Sequence, residues 1–399
     1  MENQIDSFLW SGHEWGIKDN MAYFVDAEKD ILCELDLNTS ECNGLALIPN
    51  EHTIKFMLNT RCLKINNEIF CMPCFGDRIW IYNCEDSSFH TIILKKTEKY
   101  SLYMENSWQM NDKIVSVSRG LCQVIIIDIK SKRVDYFPIK VLDDDILISN
   151  CVRVNTNIYC TSFNSNRIYK FNIESKETYV YSVGSTFERF SCICFDGENF
   201  WISGCSKKVY IWDENSVINI IKLPECIRNY NFTTGFEDIV DSHDKECQVQ
   251  IFCHLEHIEG YIWAIPYQSN HIIYIDKNTL EVKVLHIENE METKDSLLKF
   301  TRRPFKYFWQ YIKNNRYIGI FSLKNNYVVE IDTFNKEAKA KNYTFNINYL
   351  NMVFKEKLFC ESNFLHRKIF HKYMIEDDND INSKDIPYNI GKKIYKALR

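Results

Sequence analysis

A strand phrase closing on Asp or Asn recurs seven times along this chain, and it restricts the fold more than any other feature. The copies are Ile31-Leu32-Cys33-Glu34-Leu35-Asp36, Ile79-Trp80-Ile81-Tyr82-Asn83, Val124-Ile125-Ile126-Ile127-Asp128, Ile168-Tyr169-Lys170-Phe171-Asn172, Val209-Tyr210-Ile211-Trp212-Asp213, Ile272-Ile273-Tyr274-Ile275-Asp276 and Val328-Val329-Glu330-Ile331-Asp332. The closing residues are spaced by roughly 40–60 positions, the period of a β-propeller blade. A second strand precedes each copy, as in Glu68-Ile69-Phe70-Cys71-Met72-Pro73 and Tyr261-Ile262-Trp263-Ala264-Ile265-Pro266. Upstream again lies an alternating strand ending in a polar turn, such as Leu63-Lys64-Ile65-Asn66-Asn67. Period-2 alternation closed by Asn, Asp or Gly is what hairpin strands require.

Counting copies predicts the ring size. Lys357-Leu358-Phe359-Cys360-Glu361, followed by Arg367, Ile369, Phe370 and Tyr373, parallels the phrase that begins at Glu68. The first and last copies each carry their own middle strands, so the expectation is an all-β propeller of eight blades, with seven as the alternative. The propeller is expected to span 1–375, with long connections at 225–252 and 288–313. Residues 376–399 read as an acidic linker and a short amphipathic helix from Tyr388 to Arg399, with Ile390, Ile394, Ala397 and Leu398 on one stripe. That helix docks on the propeller or binds a partner.

The repeats lack the Gly-Gly doublet of kelch and the Gly-His…Trp-Asp pair of WD40 propellers. The stretches from Ile158 to Asn172 and from Ile262 to Asp276 resemble the repeats of NHL, YVTN and virginiamycin-B-lyase-like propellers. The resemblance covers about residues 12–375 and implies the fold. The lyase's catalytic His and Glu pattern has no counterpart in these positions, so its activity is not carried over.

Composition narrows the class. The chain is 45% hydrophobic and 14% aromatic, ample for a large core, and its net charge of −6 comes from intermixed acids and bases. That balance argues against a nucleic-acid partner. No apolar run reaches the length of a membrane span and no secretory leader opens the chain, so a cytoplasmic location is expected. In that setting the 16 cysteines read as reduced thiols. Abundant Ile, Lys, Asn, Tyr and Phe resembles coding by an AT-rich bacterial genome.

If alternate residues of the innermost strands face a central channel, one column should line it: Glu14, Cys62, Lys64, Ser107, Gln109, Cys151, Arg153, Cys192, Cys194, His257, Trp309, Tyr311 and Asn351. The other column, including Leu63, Ile65, Trp108, Met110, Val152, Val154, Ile193 and Phe195, should pack between sheets. Candidate catalytic residues are therefore Cys192, Arg153, His257 and Lys64. Candidate ligand-binding residues are Glu14, Arg61, Cys62, Lys64, Gln109, Cys151, Arg153, Cys194, Tyr103 and Trp309. Converging thiols and an imidazole can hold a soft metal, and a thiol beside a cation can act as a nucleophile, whereas small buried cysteines are equally ordinary packing. No recurring CxxC spacing supports a metal site, and the sequence names no cofactor. Phe187, Phe190 and Phe305 join Tyr103 and Trp309 as aromatics able to stack on sugars or peptide side chains. Two readings follow: a propeller binding a peptide, protein or glycan at one ring face and channel mouth, or a channel-mouth lyase, cyclase or isomerase. No phosphate loop, Gly-x-Ser-x-Gly elbow or His-Glu-x-x-His motif separates them.

Overall fold

The computed structural model describes residues 16–26, 30–49, 58–95, 101–104, 106–142, 148–227, 250–267, 269, 271–287, 307–322, 327–341 and 343–346. The repeats fold into seven antiparallel sheets, each built in chain order from the innermost strand outward. The innermost strands are Gly16–Lys18, Asn59–Ile65, Ser107–Met110, Ile148–Val154, Phe190–Phe195, Phe252–Ile258 and Tyr307–Lys313, defining blades 1 to 7. Tyr307 and Tyr311 are buried, so the aromatic run expected in a long connection is instead the start of blade 7. Among the described residues there is no helix. The amphipathic segment 388–399 and most of the long connections 225–252 and 288–313 lie outside them.

The recurring Asp or Asn has a local cause. It ends or directly follows the third strand of each blade, and in five of the seven its carboxylate or amide oxygen accepts the backbone N–H groups two and three residues on. Asp276 Oδ1 accepts from Asn278 (2.9 Å) and Thr279 (3.0 Å), and Asn172 Oδ1 from Glu174 (2.9 Å) and Ser175 (2.8 Å). Asp36, Asp213 and Asp332 do the same. The side chain thus supplies the turn between the two outer strands with an acceptor that the backbone cannot. These hydrogen bonds hold the Asp36, Asp213 and Asp276 carboxyls below their ordinary range.

The hydrophobic clusters of the described residues form the seams between neighbouring blades. Ile65, Phe70 and Ile79 of blade 2 meet Ile114, Ile125 and Ile127 of blade 3. Tyr159 and Ile168 of blade 4 meet Ile193, Phe200 and Trp212 of blade 5. Equivalent seams join blades 1 to 2, 3 to 4, 5 to 6 and 6 to 7. Because a propeller sheet stands radially, both of its faces are buried against neighbours. Polar bonds add to the seams: Glu214 of blade 5 accepts from Lys170 (2.7 Å), Tyr181 (3.3 Å) and Tyr159, all of blade 4.

The ring closes at seven blades, correcting the expectation of eight. The innermost strand of blade 7 lies directly against that of blade 1. Lys313 Nζ donates to Asn38 Oδ1 across that seam (3.4 Å). The chain leaving blade 7 then runs onto the outer edge of blade 1, where Thr344–Phe345 pair in parallel with Glu41 and Cys42. A blade inserted between 7 and 1 would have to break these contacts. The strand phrase at 357–373, taken above as the eighth copy, lies outside the described residues. One glycine is imposed by packing within blade 7: a β-carbon at Gly319 would overlap the Tyr311 ring that lies across it.

Candidate channel-mouth site

The radial stance of the sheets changes where the predicted columns point. Side chains stand perpendicular to a sheet, so successive residues of an innermost strand face the preceding and the following blade in turn, and only the strand edge faces the axis. Cys62 packs with Val25 and Leu32 of blade 1, and Cys151 with Val115 and Val117 of blade 3. Both thiols point to the preceding blade. Cys192 and Cys194 point the other way, against Leu255, Ile262 and Ala264 of blade 6. The column supposed to line the channel is therefore enclosed between leaflets at all four cysteines, each at most 6% exposed.

The apparent alignment of Cys192 with Cys62 and Cys151 hid a one-residue slip. Cys62 and Cys151 pair with Cys71 and Cys160, but in blade 5 the Asp196 N–H bonds the Asn199 carbonyl (3.1 Å) and adds a pair at the turn end, so Cys192, opposite Ser203, stands one step further from its turn. A bulge follows Phe190 on the entry side. Similar bulges interrupt the innermost strands of blades 2, 4, 6 and 7, near the end where the chain enters each blade. Burial pushes the Cys192 thiol up to about 12, against a smaller pull downward from the Ser191 hydroxyl and the Ser203 backbone. Burial, with Glu256 next, also raises Cys194. Thiols held protonated in this way are poor nucleophiles and poor metal ligands. Among the described residues no group of three or more His, Cys, Asp or Glu is placed to hold a metal ion.

At the entry end, small polar residues tie each blade to the next. Asn106 Nδ2 donates to the Cys151 carbonyl (3.4 Å), Ser149 Oγ to the Ser191 carbonyl (3.2 Å) and Ser191 Oγ to the Phe252 carbonyl (2.8 Å). These are circumferential bonds from blades 3, 4 and 5 to blades 4, 5 and 6. They use backbone C=O groups at or beside the bulges as acceptors. Arg61 sits in the bulge of blade 2, three residues from Lys64 and so about 10 Å away along the strand. Tyr103 lies under the Arg119 guanidinium (4.4 Å), which also donates to the Ile148 carbonyl (3.0 Å). Phe187 is 85% exposed nearby in sequence, whereas Phe190 is buried.

The opposite end, formed by the turns between first and second strands, brings together part of the predicted set. Lys64, Gln109, Arg153 and His257 each occupy the next-to-last ladder position of their innermost strand, opposite Ile69, Ile114, Ile158 and Ile262. Register thus places two cations and an amide at one mouth in the successive blades 2, 3 and 4. Their present partners are local. Gln109 Nε2 donates to the Asn111 carbonyl (3.2 Å) and Arg153 Nη1 to the Asn155 carbonyl (2.8 Å). Lys64 Nζ lies 2.8 Å from Cys84 Sγ and 5.8 Å from the centre of the Tyr23 ring.

Across the mouth, His257 belongs to a tighter group. Asp196, which closes the first strand of blade 5, accepts from the Glu198 and Asn199 backbones (2.8 and 2.7 Å) and from the Trp201 indole (2.9 Å). Lys277 Nζ stands 3.8 Å from the same carboxylate. Burial pushes the Asp196 carboxyl upward, yet the Asn199, Trp201 and Glu198 bonds outweigh it and the group is held below its ordinary value. His257 is lowered mainly by burial, with Asp196 opposing and Lys277 reinforcing, so it is neutral at pH 7. Sequence reading missed this cage, although the Asp196-Gly197 turn and Trp201 were visible signals; Gly197 takes φ +101 there. It also missed His254, whose Nε2 lies 2.9 Å from Glu256 Oε2 on the innermost strand of blade 6. Trp309 lies in the innermost strand of blade 7, opposite Ile320. Glu14, Phe305 and Asn351 lie outside the described residues.

No family model and no curated protein matches this sequence. The structure, however, is similar to solved propellers. One is a streptogramin B lyase structure, at 9% identity and TM-score 0.57, covering 84% of this chain and 95% of that one. Another is a chain of the mitotic checkpoint complex, at 7% identity and TM-score 0.51, covering 85% and 90%. At such identities the likeness concerns the fold alone. The chain is a β-propeller of the architecture seen in the streptogramin B lyase, as its repeats imply.

Proposed function

We propose that this chain is a cytoplasmic binding propeller that takes an anionic or strongly polar group of a peptide, protein or glycan at the turn end of its channel. The carrying observation is the shared register of Lys64, Gln109 and Arg153 in three successive blades. Among the described residues Gln109 and Arg153 bond to carbonyls of their own turns, contacts that a carboxylate or a set of hydroxyls can replace. In this reading Arg153 provides two parallel N–H donors, Lys64 a point charge and Gln109 a neutral donor and acceptor. Further support comes from the buried thiols, which remove the most reactive candidates from the surface. The test is an array of peptides with free carboxylates and of acidic and neutral glycans, probed with the full chain. A hit should weaken about tenfold or more in the Lys64→Ala/Arg153→Ala double variant. Hits that ignore the double substitution, or an array without hits, would remove the proposal.

A second reading, a lyase, cyclase or isomerase, is favoured by the His254–Glu256 pair. A carboxylate that orients a half-buried imidazole is suited to moving a proton in catalysis. Incubation with streptogramin B, followed by mass spectrometry, addresses it directly. Consumption by the wild type that disappears in His254→Ala supports the enzyme reading, and intact compound in both counts against it.

A further inference from the structure

Two cysteine pairs face one another across the first and second strands of alternate blades. Cys151 Sγ lies 3.2 Å from Cys160 Sγ in blade 4, and Cys62 Sγ lies 3.8 Å from Cys71 Sγ in blade 2. In each case the partners are directly opposite in the ladder. Their type of pairing follows from the hairpin. Two residues form each turn, so the flanking pairs Val154–Asn157 and Ile65–Glu68 are hydrogen-bonded, and bonded and non-bonded pairs alternate from there. Three steps along, Cys151–Cys160 and Cys62–Cys71 are non-hydrogen-bonded pairs. There the α-carbons approach to about 4.5 Å, inside the range of about 4.4–6.8 Å that a disulfide spans.

Packing alone does not demand cysteine here. At the same step blade 3 carries Ser107 and Ser116, with hydroxyls 2.7 Å apart, blade 5 carries Ile193 and Ile202, and blade 6 carries Leu255 and Ala264. Matched polar, bulky and mixed pairs all fit between leaflets. Only blades 2 and 4 place two thiols face to face among the described residues.

We propose that Cys151 and Cys160, the closer pair, form a dithiol/disulfide couple that closes within the folded blade. The oxidant is a low-molecular-weight disulfide of the glutathione type. One cysteine thiolate attacks a sulfur of that disulfide, releasing one small thiol and leaving a mixed disulfide. The facing cysteine then displaces the second small thiol as the Cys151–Cys160 bond forms. The pair gives up two electrons and two protons in total, and the small disulfide takes both. Burial and the facing sulfur hold Cys160 and Cys71 protonated, so closure waits on brief opening of the seam between blades. Once formed, the bond staples the innermost hairpin that carries Arg153.

The test is oxidation of the native full chain with oxidised glutathione, then alkylation of remaining thiols, digestion without reduction and mass spectrometry. Expected are one linked species joining the Cys151 and Cys160 peptides, lighter by two hydrogens, and a melting temperature higher by a few degrees. Cys160→Ala, with Cys151→Ser as a second variant, should melt like the wild type under reducing conditions and show neither the link nor the rise. The inference fails if Cys151 and Cys160 remain alkylatable after the exposed Cys84 and Cys226 have fully reacted. It also fails if the link forms only in denaturant, or if either variant keeps the oxidant-induced rise.

Discussion

The two sides of the turn-end mouth are built on one plan and behave oppositely. In blades 2 to 4, Lys64, Gln109 and Arg153 bond within their own blades, and among the described residues no hydrogen bond anchors them to another blade. In blades 5 and 6, Asp196 is caged by an indole, two backbone amides and Lys277, and His257 is half-buried beside it. Equivalent register therefore does not mean equivalent role. A charge that is desolvated must be satisfied in place and becomes structural, while one left at the rim keeps its bonding capacity for something else.

The sharpest way to break this contrast is Asp196→Ala. It strands the Trp201 N–H and two backbone amides, and should lower the unfolding free energy by about 3 kcal/mol, read by denaturant titration. Little loss would mean that the cage contributes no more than the opposite side. Ser191→Ala, which removes the bond to the Phe252 carbonyl at the other end of the channel, should cost about 1–2 kcal/mol in the same assay.

A smaller effect is expected from pH. The folded-state pKa of His257 lies below its unfolded value of about 6.5, so below that pH the unfolded chain takes up a proton that the folded chain resists. Stability attributable to this group is complete above pH about 6.5 and falls as the solution is acidified through that window. His257→Gln should flatten that decline. An identical slope in both proteins would show that His257 is not held neutral by its surroundings. Asp196 acts in a lower window: its folded pKa is depressed, so its contribution is present above the unfolded value of about 3.9 and is lost as pH falls through the folded one. Smallest of all, Lys64→Ala/Arg153→Ala should change stability by no more than about 0.5 kcal/mol while weakening ligand binding about tenfold or more. A large destabilisation would move these residues to the structural side of the comparison.

Much of the blade was legible because its causes are local. The alternating strands, the two-residue turns and the closing Asp or Asn depend on neighbours within a few positions, and Asp276 or Asn172 performs the same task in any blade. The candidate site was legible only in part. Lys64, Gln109, Arg153 and His257 share one ladder position because each stands two residues before a two-residue turn, a relation that the sequence shows directly. Cys192 was misplaced because Asp196 still belongs to the ladder and the turn begins at Gly197, which moves every earlier residue of that strand one step from the expected register. The His254–Glu256 pair passed unnoticed, since an alternating His-Leu-Glu reads as any half-buried strand.

From its amino acids alone, the chain determined that it folds as repeated four-stranded leaflets around an axis, since hydrophobic period and turn chemistry act over short distances. Tertiary structure decided the number of leaflets and the direction of every inner side chain. Closure depends on whether the seventh innermost strand meets the first, and radial sheets turn side chains toward neighbouring blades. Neither relation is written in the spacing of residues, because both arise only when sheets distant in the chain press against one another.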